Sequence, residues 1–428
     1  DNVAIGDQAL DAIAVGESQN IAIGKDAMSA VDEGTAGGDA NANIAIGYQA
    51  LLGGDFAGND RQLQGNIAIG ANALDATGST AFTGTVAIGH QALTAQTANS
   101  ESVAIGYQAG LANQTGSKNV LVGYQTGISF TDLDNTVLVG YQAGNKINND
   151  GGDGTVAVGY QAGYNITTGN ANTAVGLNAL DNIQVGDNNT AIGYHAIGSV
   201  DSADGNDDNT AVGAASLLNC DTAVGATALG YSAGRYQSGP SNLTGTVTNC
   251  VFLGQTTKSN GNDPTGQVVI GTNVDSVGDN TITFGMGGNI HYLSLDGSDT
   301  SWAASSSDER YKENIETSTA GLSFVNDLRP VTYNWKKEKD VPVDTPAYKE
   351  GSDEPVLGYK YGETLHGFIA QEVKATIDEH SEIKEGFKMW KLKNDGIQTL
   401  ADGNLVPMLV KAVQELSQQV EDLKKQIN

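Results

Sequence analysis

Through roughly the first 285 residues the apolar positions recur as one short alternation, Val/Ile/Thr-Ala-Ile/Val-Gly, often followed by Tyr-Gln-Ala-Gly or x-x-Ala-Leu. Closing glycines run from Gly6 to Gly271 and include Gly16 and Gly225; from Gly89 to Gly193 the steps are 17, 17, 17, 19, 17 and 17 residues. Helical solenoid repeats are mostly about 34 residues or longer, so a unit of this length predicts a β-solenoid. In Asn119-Val120-Leu121-Val122-Gly123 the two valines share one strand face and Leu121 takes the other. Most units carry Ala at that opposite position, as at Ala104, Ala157, Ala174 and Ala191. The branched face is expected to line the inside of the roll. The methyl-sized stripe is then expected to meet another surface closely, a sister chain in a fibre. Glycine closes each core because the chain must turn there.

Longer rungs are read as outward loops at Ala30–Asn43, Leu52–Gln64, Ser199–Asp208, Arg235–Asn249 and Gln255–Gly266. These loops are expected to set receptor choice, and swapping Arg235–Asn249 for a short Gly/Ser turn is expected to leave trimer stability nearly unchanged. The Asp/Asn/Gly runs Asn148–Gly154 and Asp201–Asn209 match neither the EF-hand nor the nonapeptide calcium spacing and read as solvated turns, with no metal implied. Asn280–Gly285 is a degraded repeat, and residues 286–306 read as a polar connector.

Charge and composition sharpen the picture. Net charge is −28, with 28 acidic and 6 basic side chains in residues 1–300. Such a surface repels phosphate backbones and argues against nucleic-acid binding. The 56 glycines are nearly twice average usage of about 7%, yet the apolar residues stay in register, which predicts order. Cys220 and Cys250 form no disulfide framework and are expected as thiols. No apolar run is long enough for a membrane span. The chain begins at Asp1, so it is expected to be the distal part of something longer, its attachment module lying upstream.

After residue 300 the character changes. Residues 301–428 hold 16 of the 22 Lys/Arg, five of the seven prolines and all three tryptophans. A short helix is predicted over Ala320–Leu328, a strand over Val331–Lys336, an exposed charged loop over Lys337–Lys360, a strand over Gly367–Gln371 and a helix near Glu372–Glu379. His380 reads as solvated. From 405 to 428 a helix places Leu409, Val413, Leu416, Val420, Leu423 and Ile427 at 4-3-4-3-4 spacing, a heptad seam. Val and Ile at a with Leu at d alone favour two strands.

At the boundary stands Ser307-Asp308-Glu309-Arg310-Tyr311-Lys312-Glu313-Asn314-Ile315. Its Ser307, Asp308, Arg310, Lys312 and Ile315 fill every fixed position of Ser-Asp-x-Arg-x-Lys-x-x-Ile. Leu328–Lys336 and His366–Val373 follow in order. Together these resemble the intramolecular chaperone domain of phage tailspikes and endosialidases, a self-cleaving peptidase family. The Ala-Ile-Gly repeat is similar to the left-handed β-roll head of trimeric autotransporter adhesins such as YadA, and to phage fibres. The resemblance implies cleavage of the Ser306–Ser307 bond, with Ser307 as nucleophile and Lys312 as base. Asp308, Arg310, His366, Gln371 and Glu372 stand as supporting residues. A lysine base must be neutral, which asks the ordinary value of about 10.4 to fall towards roughly 7–8. Arg310 is a candidate cation to help it fall. Five residues apart, Ser and Lys diverge on a helix and oppose on a strand, so a turn or a neighbouring protomer must bring them together.

The expected architecture is mainly β: a trimeric parallel β-solenoid fibre over 1–285, a connector over 286–306, and a small α+β chaperone domain over 307–428 ending in a coiled coil. The resemblance favours three strands in that coil. The expected role is a virion tail fibre or spike, assembled in the host cytoplasm, that attaches to a cell-surface receptor such as a glycan or outer-membrane component. Other virion tail proteins are expected partners; cofactors and membrane insertion are not expected. Two alternatives are a spike that degrades polysaccharide and a bacterial trimeric adhesin.

Overall fold

The computed structural model describes residues 1–12, 17–31, 39–53, 62–77, 81–98, 101–148, 151–198, 206–238, 241–295, 303–304, 309, 312–356, 362–393 and 396–427. It divides into two compact units, Asp1–Ser307 and Asp308–Asn428.

The first unit is a parallel β-solenoid. Three-residue strands such as Val103–Ile105, Val120–Val122 and Val137–Val139 stack in register, Val120 facing Val103 on one side and Val137 on the other. They belong to one eighteen-stranded sheet, parallel from Val3–Ile5 through Thr281–Met286 and antiparallel only at Asn289–Ser294 and Ala303–Ala304. The last two turn part of the expected connector into the hairpin that ends the sheet.

The two strand faces are the reverse of the sequence expectation. The mid-strand residues Ala45, Ala68, Ala87, Ala104, Ala157 and Leu121 are fully buried inside the roll. The flanking branched residues face outward, half-buried or exposed, as does the tyrosine two places on, with Ile105 exposed by 38% and Tyr160 by 48%. The reason is volume. A rung that returns in 17 residues leaves room for one large inward side chain near each turn, so its strand can add little more than a methyl. Where the turn position holds Leu51, Leu74 or Leu93, the strand centre is Ala. Where the turn is Gly127 or Gly144, the core is filled by Phe130, Leu138 and Ile147, and a Cβ at Gly127 would lie 2.6 Å from the Phe130 ring.

The closing glycines have a second cause besides the turn. At Gly123, φ is 143°, and a Cβ there would fall on the carbonyl of Gly140 in the next rung. Just before the strands, buried Asn20, Asn43 and Asn66 form a ladder: the Asn43 N–H donates to Asn20 Oδ1 at 2.9 Å and its Nδ2 to the Leu63 carbonyl at 2.6 Å. Outside, Gln91, Gln108, Gln125, Gln142 and Gln161 pass amide hydrogen bonds of 2.9–3.2 Å from rung to rung. Beside them the rings of Tyr107, Tyr124, Tyr141 and Tyr160 stack at 5.1–5.2 Å.

Several expected loops are rungs. Asp39–Asn41, Gln62–Gln64 and Phe82–Thr83 form a second parallel sheet, so Ala30–Asn43 and Leu52–Gln64 both end in strands; residues 32–38, 54–61 and 199–205 lie outside the described residues. Arg235–Asn249 contains strand Thr246–Thr248, paired with Thr222–Val224, and buries Leu243 and Val247. Gln255–Gly266 falls within an ordinary step from Gly254 to Gly271, and its Lys258 N–H donates to the Val274 carbonyl at 2.8 Å. Gly225 closes Thr222–Val224, a strand of that separate two-stranded sheet, whereas Thr227–Leu229 with Gly230 continues the main column. Copies five residues apart cannot both be rungs of one stack. Gly16 lies outside the described residues. Cys220 and Cys250 are buried free thiols, pushed by burial to about 12 and about 11.

The second unit is a small α+β domain. Helix α1 (Leu322–Asp327), helix α2 (Ala370–Glu379) and helix α3 (Val406–Ile427) accompany two antiparallel pairs, Val331–Tyr333 with Leu365–Gly367 and Trp390–Leu392 with Gln398–Leu400. Ala320, Phe324, Leu328, Val373, Ile377 and Met389 are at the centre of its core. The first strand is shorter than the expected Val331–Lys336, and the second precedes the expected Gly367–Gln371, since α2 already begins at Ala370. The charged excursion after Lys337 is pinned rather than loose: Glu338 accepts from Lys349 Nζ and Ser352 Oγ at 2.7 and 2.8 Å.

Candidate functional site

Ser306, Ser307, Asp308 and Arg310 lie outside the described residues. Lys312 is exposed, and its N–H donates to the Glu309 carbonyl at 3.0 Å. Residues 312–319 are exposed and form neither helix nor strand; the first buried residue after Lys312 is Ala320. There the chain meets α3. Ser318 Oγ lies 3.9 Å from Met408 Sδ, and the Leu322 N–H donates to Glu415 Oε2 at 2.8 Å.

The supporting residues divide into two settings. His366, on the strand paired with Val331–Tyr333, and Gln371, in the first turn of α2, line one open groove with Tyr333, Trp335 and Gln398. Phe368, Ile369 and Leu400 add apolar lining to the same groove. Glu372 turns elsewhere. It takes a two-pronged ion pair from Arg329, with Arg329 Nε 3.0 Å from Glu372 Oε2, and the guanidinium holds its carboxyl below the usual range. This pair ties the Leu328–Lys336 stretch to the His366–Val373 stretch.

His380 is not solvated. Its Nε2 lies 2.9 Å from Asp327 Oδ2 at the end of α1, its Nδ1 lies 3.0 Å from Glu382 Oε1, and its ring stands edge-on to Phe324 at 5.4 Å. Hydrogen bonds to Glu382, then Asp327, raise its pKa above the ordinary 6.5. Nothing in sequence signalled these partners, because Asp327 and Glu415 come from elements 53 and 93 residues from theirs.

All six seam residues of α3 are exposed, from 41% at Leu409 to 84% at Ile427, while the opposite face buries Ala412 and packs Met408 on the core. Among the described residues no cluster of metal-ligating side chains occurs, and no helix is long and apolar enough to cross a membrane.

Residues 307–382, less than a fifth of the chain, match the family model described as the chaperone of endosialidase. No curated protein and no solved structure matches the chain. The matched segment thus carries the likeness of an intramolecular chaperone domain that cleaves itself, and it stands behind a β-solenoid.

Proposed function

We propose that this chain is a homotrimeric virion fibre for host attachment, folded and aligned by its C-terminal unit, which then releases itself by cutting Ser306–Ser307. The observation that carries the reading is a coincidence of positions: the family match begins on Ser307, and the compact C-terminal unit begins at the next residue. Ser307 Oγ attacks the Ser306 carbonyl carbon; Lys312 takes the hydroxyl proton and passes it to the departing Ser307 nitrogen. Water then opens the resulting ester, leaving a carboxylate at Ser306 and a free hydroxyl and amine at Ser307. Trimer formation is supported by two unpartnered apolar surfaces, the outward Val/Ile/Tyr stripe of the solenoid and the α3 seam. The receptor is a cell-surface glycan or outer-membrane component met by the exposed parts of the solenoid.

The test is a denaturing gel of the expressed full chain. Wild type is expected to yield two fragments meeting at Ser306–Ser307, whereas Ser307→Ala, Lys312→Ala and Lys312→Arg remain single 44.1 kDa chains. Arginine fails because a guanidinium keeps its proton. Scission at the same bond in Ser307→Ala would overturn the mechanism.

A further inference from the structure

We infer that the break in the outer tyrosine column at Ala214 is a binding recess for a carboxylate-bearing pyranose, held between the rings of Tyr194 and Tyr231 beside the Arg235 guanidinium. It gives the glycan of the host-attachment reading above a place and a chemical class, and rests on that reading for its purpose. From Tyr107 to Tyr160 every rung adds a ring to the column, at centroid spacings of 5.1–5.2 Å. Strand pairing sets Tyr194, Ala214 and Tyr231 on three successive rungs of that column. The Ala215 N–H donates to the Tyr194 carbonyl at 2.8 Å and the Ser232 N–H to the Ala214 carbonyl at 2.9 Å, so the backbone stacks without interruption. Only the ring is missing. Rungs about 4.8 Å apart put the two flanking tyrosines roughly 10 Å from each other. Tyr194 and Tyr231, with no ring on an adjacent rung, are exposed by 54% and 56%; Tyr107, Tyr124 and Tyr141, stacked on both sides, by 41–43%.

An aromatic face carries negative quadrupole charge, and the slightly positive C–H bonds of a pyranose chair settle against it. A chair in the place of the missing phenol has a tyrosine on each side. His195 stands edge-on to Tyr194 at 4.4 Å and steadies that ring. Beside the gap lies a second break. In full rungs the amides of Gln108, Gln125 and Gln142 pass a hydrogen bond from one to the next. Ala215 has no amide, and the buried Ser232 Oγ on the next rung has no hydrogen-bond partner among the described residues. Arg235 follows in the same turn, its N–H donating to the Ser232 carbonyl at 3.4 Å. Side chains at these two places meet in another rung, where Asn178 Nδ2 donates to Asp181 Oδ2 at 2.8 Å. Arg235 is the one arginine among the described residues of the solenoid. Its guanidinium lies over the Tyr236 ring at 5.0 Å, and its Nε is buried without a hydrogen-bond partner among the described residues. A guanidinium fork matches a carboxylate with two parallel bonds. The tyrosine column runs along the margin of the apolar stripe, next to the turn, so sister chains laid on the Val/Ile columns would leave the turn side open.

The test is saturation-transfer NMR on the full chain, its assembly state read by ultracentrifugation. Methyl β-glucuronide and the methyl glycoside of N-acetylneuraminic acid serve as carboxylated probes, and methyl β-glucoside as the neutral one. Transfer to the ring protons of at least one carboxylated probe is expected, with the glucoside bound about tenfold more weakly for want of a charged hydrogen-bond partner. Ala214→Tyr fills the recess at a position where the repeat already carries tyrosine, and the transfer is expected to vanish with the melting temperature unchanged. Arg235→Gln is expected to bring the carboxylated probe down to the level of the glucoside. No transfer to either carboxylated probe would overturn the inference, as would a glucoside bound equally well or a recess closed off in the assembled chain. Transfer that persists at the wild-type level in Ala214→Tyr would place sugar binding elsewhere on the molecule, which sinks the recess while the host-attachment reading stands.

Discussion

His380 sits between two carboxylates from different places in the fold, and this gives the C-terminal unit a defined response to pH. Its folded pKa is raised above the unfolded value of about 6.5. The charged imidazolium therefore contributes stability that is fully present below about 6.5 and is lost as pH rises through the folded pKa. In the Ser307→Ala chain, which the proposed mechanism leaves intact, tryptophan-monitored melting of this unit is expected to fall across that window. His380→Gln should flatten the dependence. An unchanged slope in the variant would show that the ion pairs with Asp327 and Glu382 contribute nothing. The closing glycines make a different single-residue case. Gly123→Ala forces a Cβ onto the Gly140 carbonyl at a positive φ. Overpacking of this kind costs roughly 1–3 kcal/mol. Calorimetry should show a lower solenoid transition, and a transition equal to wild type would mean the rungs part at no cost.

At the scale of elements, the 17-residue step was enough to find the solenoid, because every rung repeats the same inward and outward choices. Which face was inward was not legible, since alternation assigns two faces without naming them. Volume decides it: Ala45 and Ala68 are buried, and their branched neighbours are left outside. The loops were harder still. Arg235–Asn249 has no Ala-Ile-Gly signature, yet it supplies a strand paired with Thr222–Val224 and two core side chains, Leu243 and Val247. Leu243→Ala should then destabilise the solenoid by about 2–5 kcal/mol, as for a buried leucine, and excising the whole segment should cost more. Denaturant titration of the fibre unit reads both. Indifference to Leu243→Ala would return the segment to the status of decoration. In the C-terminal unit, Ser307 and Lys312 stand as candidates because a motif fixes their spacing. The hydrogen bond from Leu322 to Glu415 and the ion pair of Arg329 with Glu372 join residues far apart in sequence, where no local pattern exists to read.

At the scale of the molecule, the repeat poses an alignment problem that the C-terminal unit is suited to solve. Strands along the column pair similar residues in register, as Val120 with Val137 and Gly271 with Gly285. Three such chains brought together can slip by one rung and lose only terminal contacts, so the repeat specifies its own register weakly. In the proposed trimer, a single non-repeating domain at one end would set all three chains at zero offset. Its exposed seam, Leu409 to Ile427, has only about two and a half heptads and so only a few ways to pair. Under the proposed function, zipping of the rungs would cover the apolar stripe that includes Ile105 and Tyr107, after which the aligning unit could leave. Two outcomes follow in a refolding experiment from denaturant. Ser307→Ala, which keeps the unit, should return to discrete trimers in ultracentrifugation. The purified fragment 1–306 should instead give heterogeneous, out-of-register aggregates, and Leu416→Asp with Val420→Asp in the full Ser307→Ala chain should behave like the fragment. A fragment that refolds to trimers as completely as the intact chain would mean that the rungs find their own register, and the terminal unit would need another purpose.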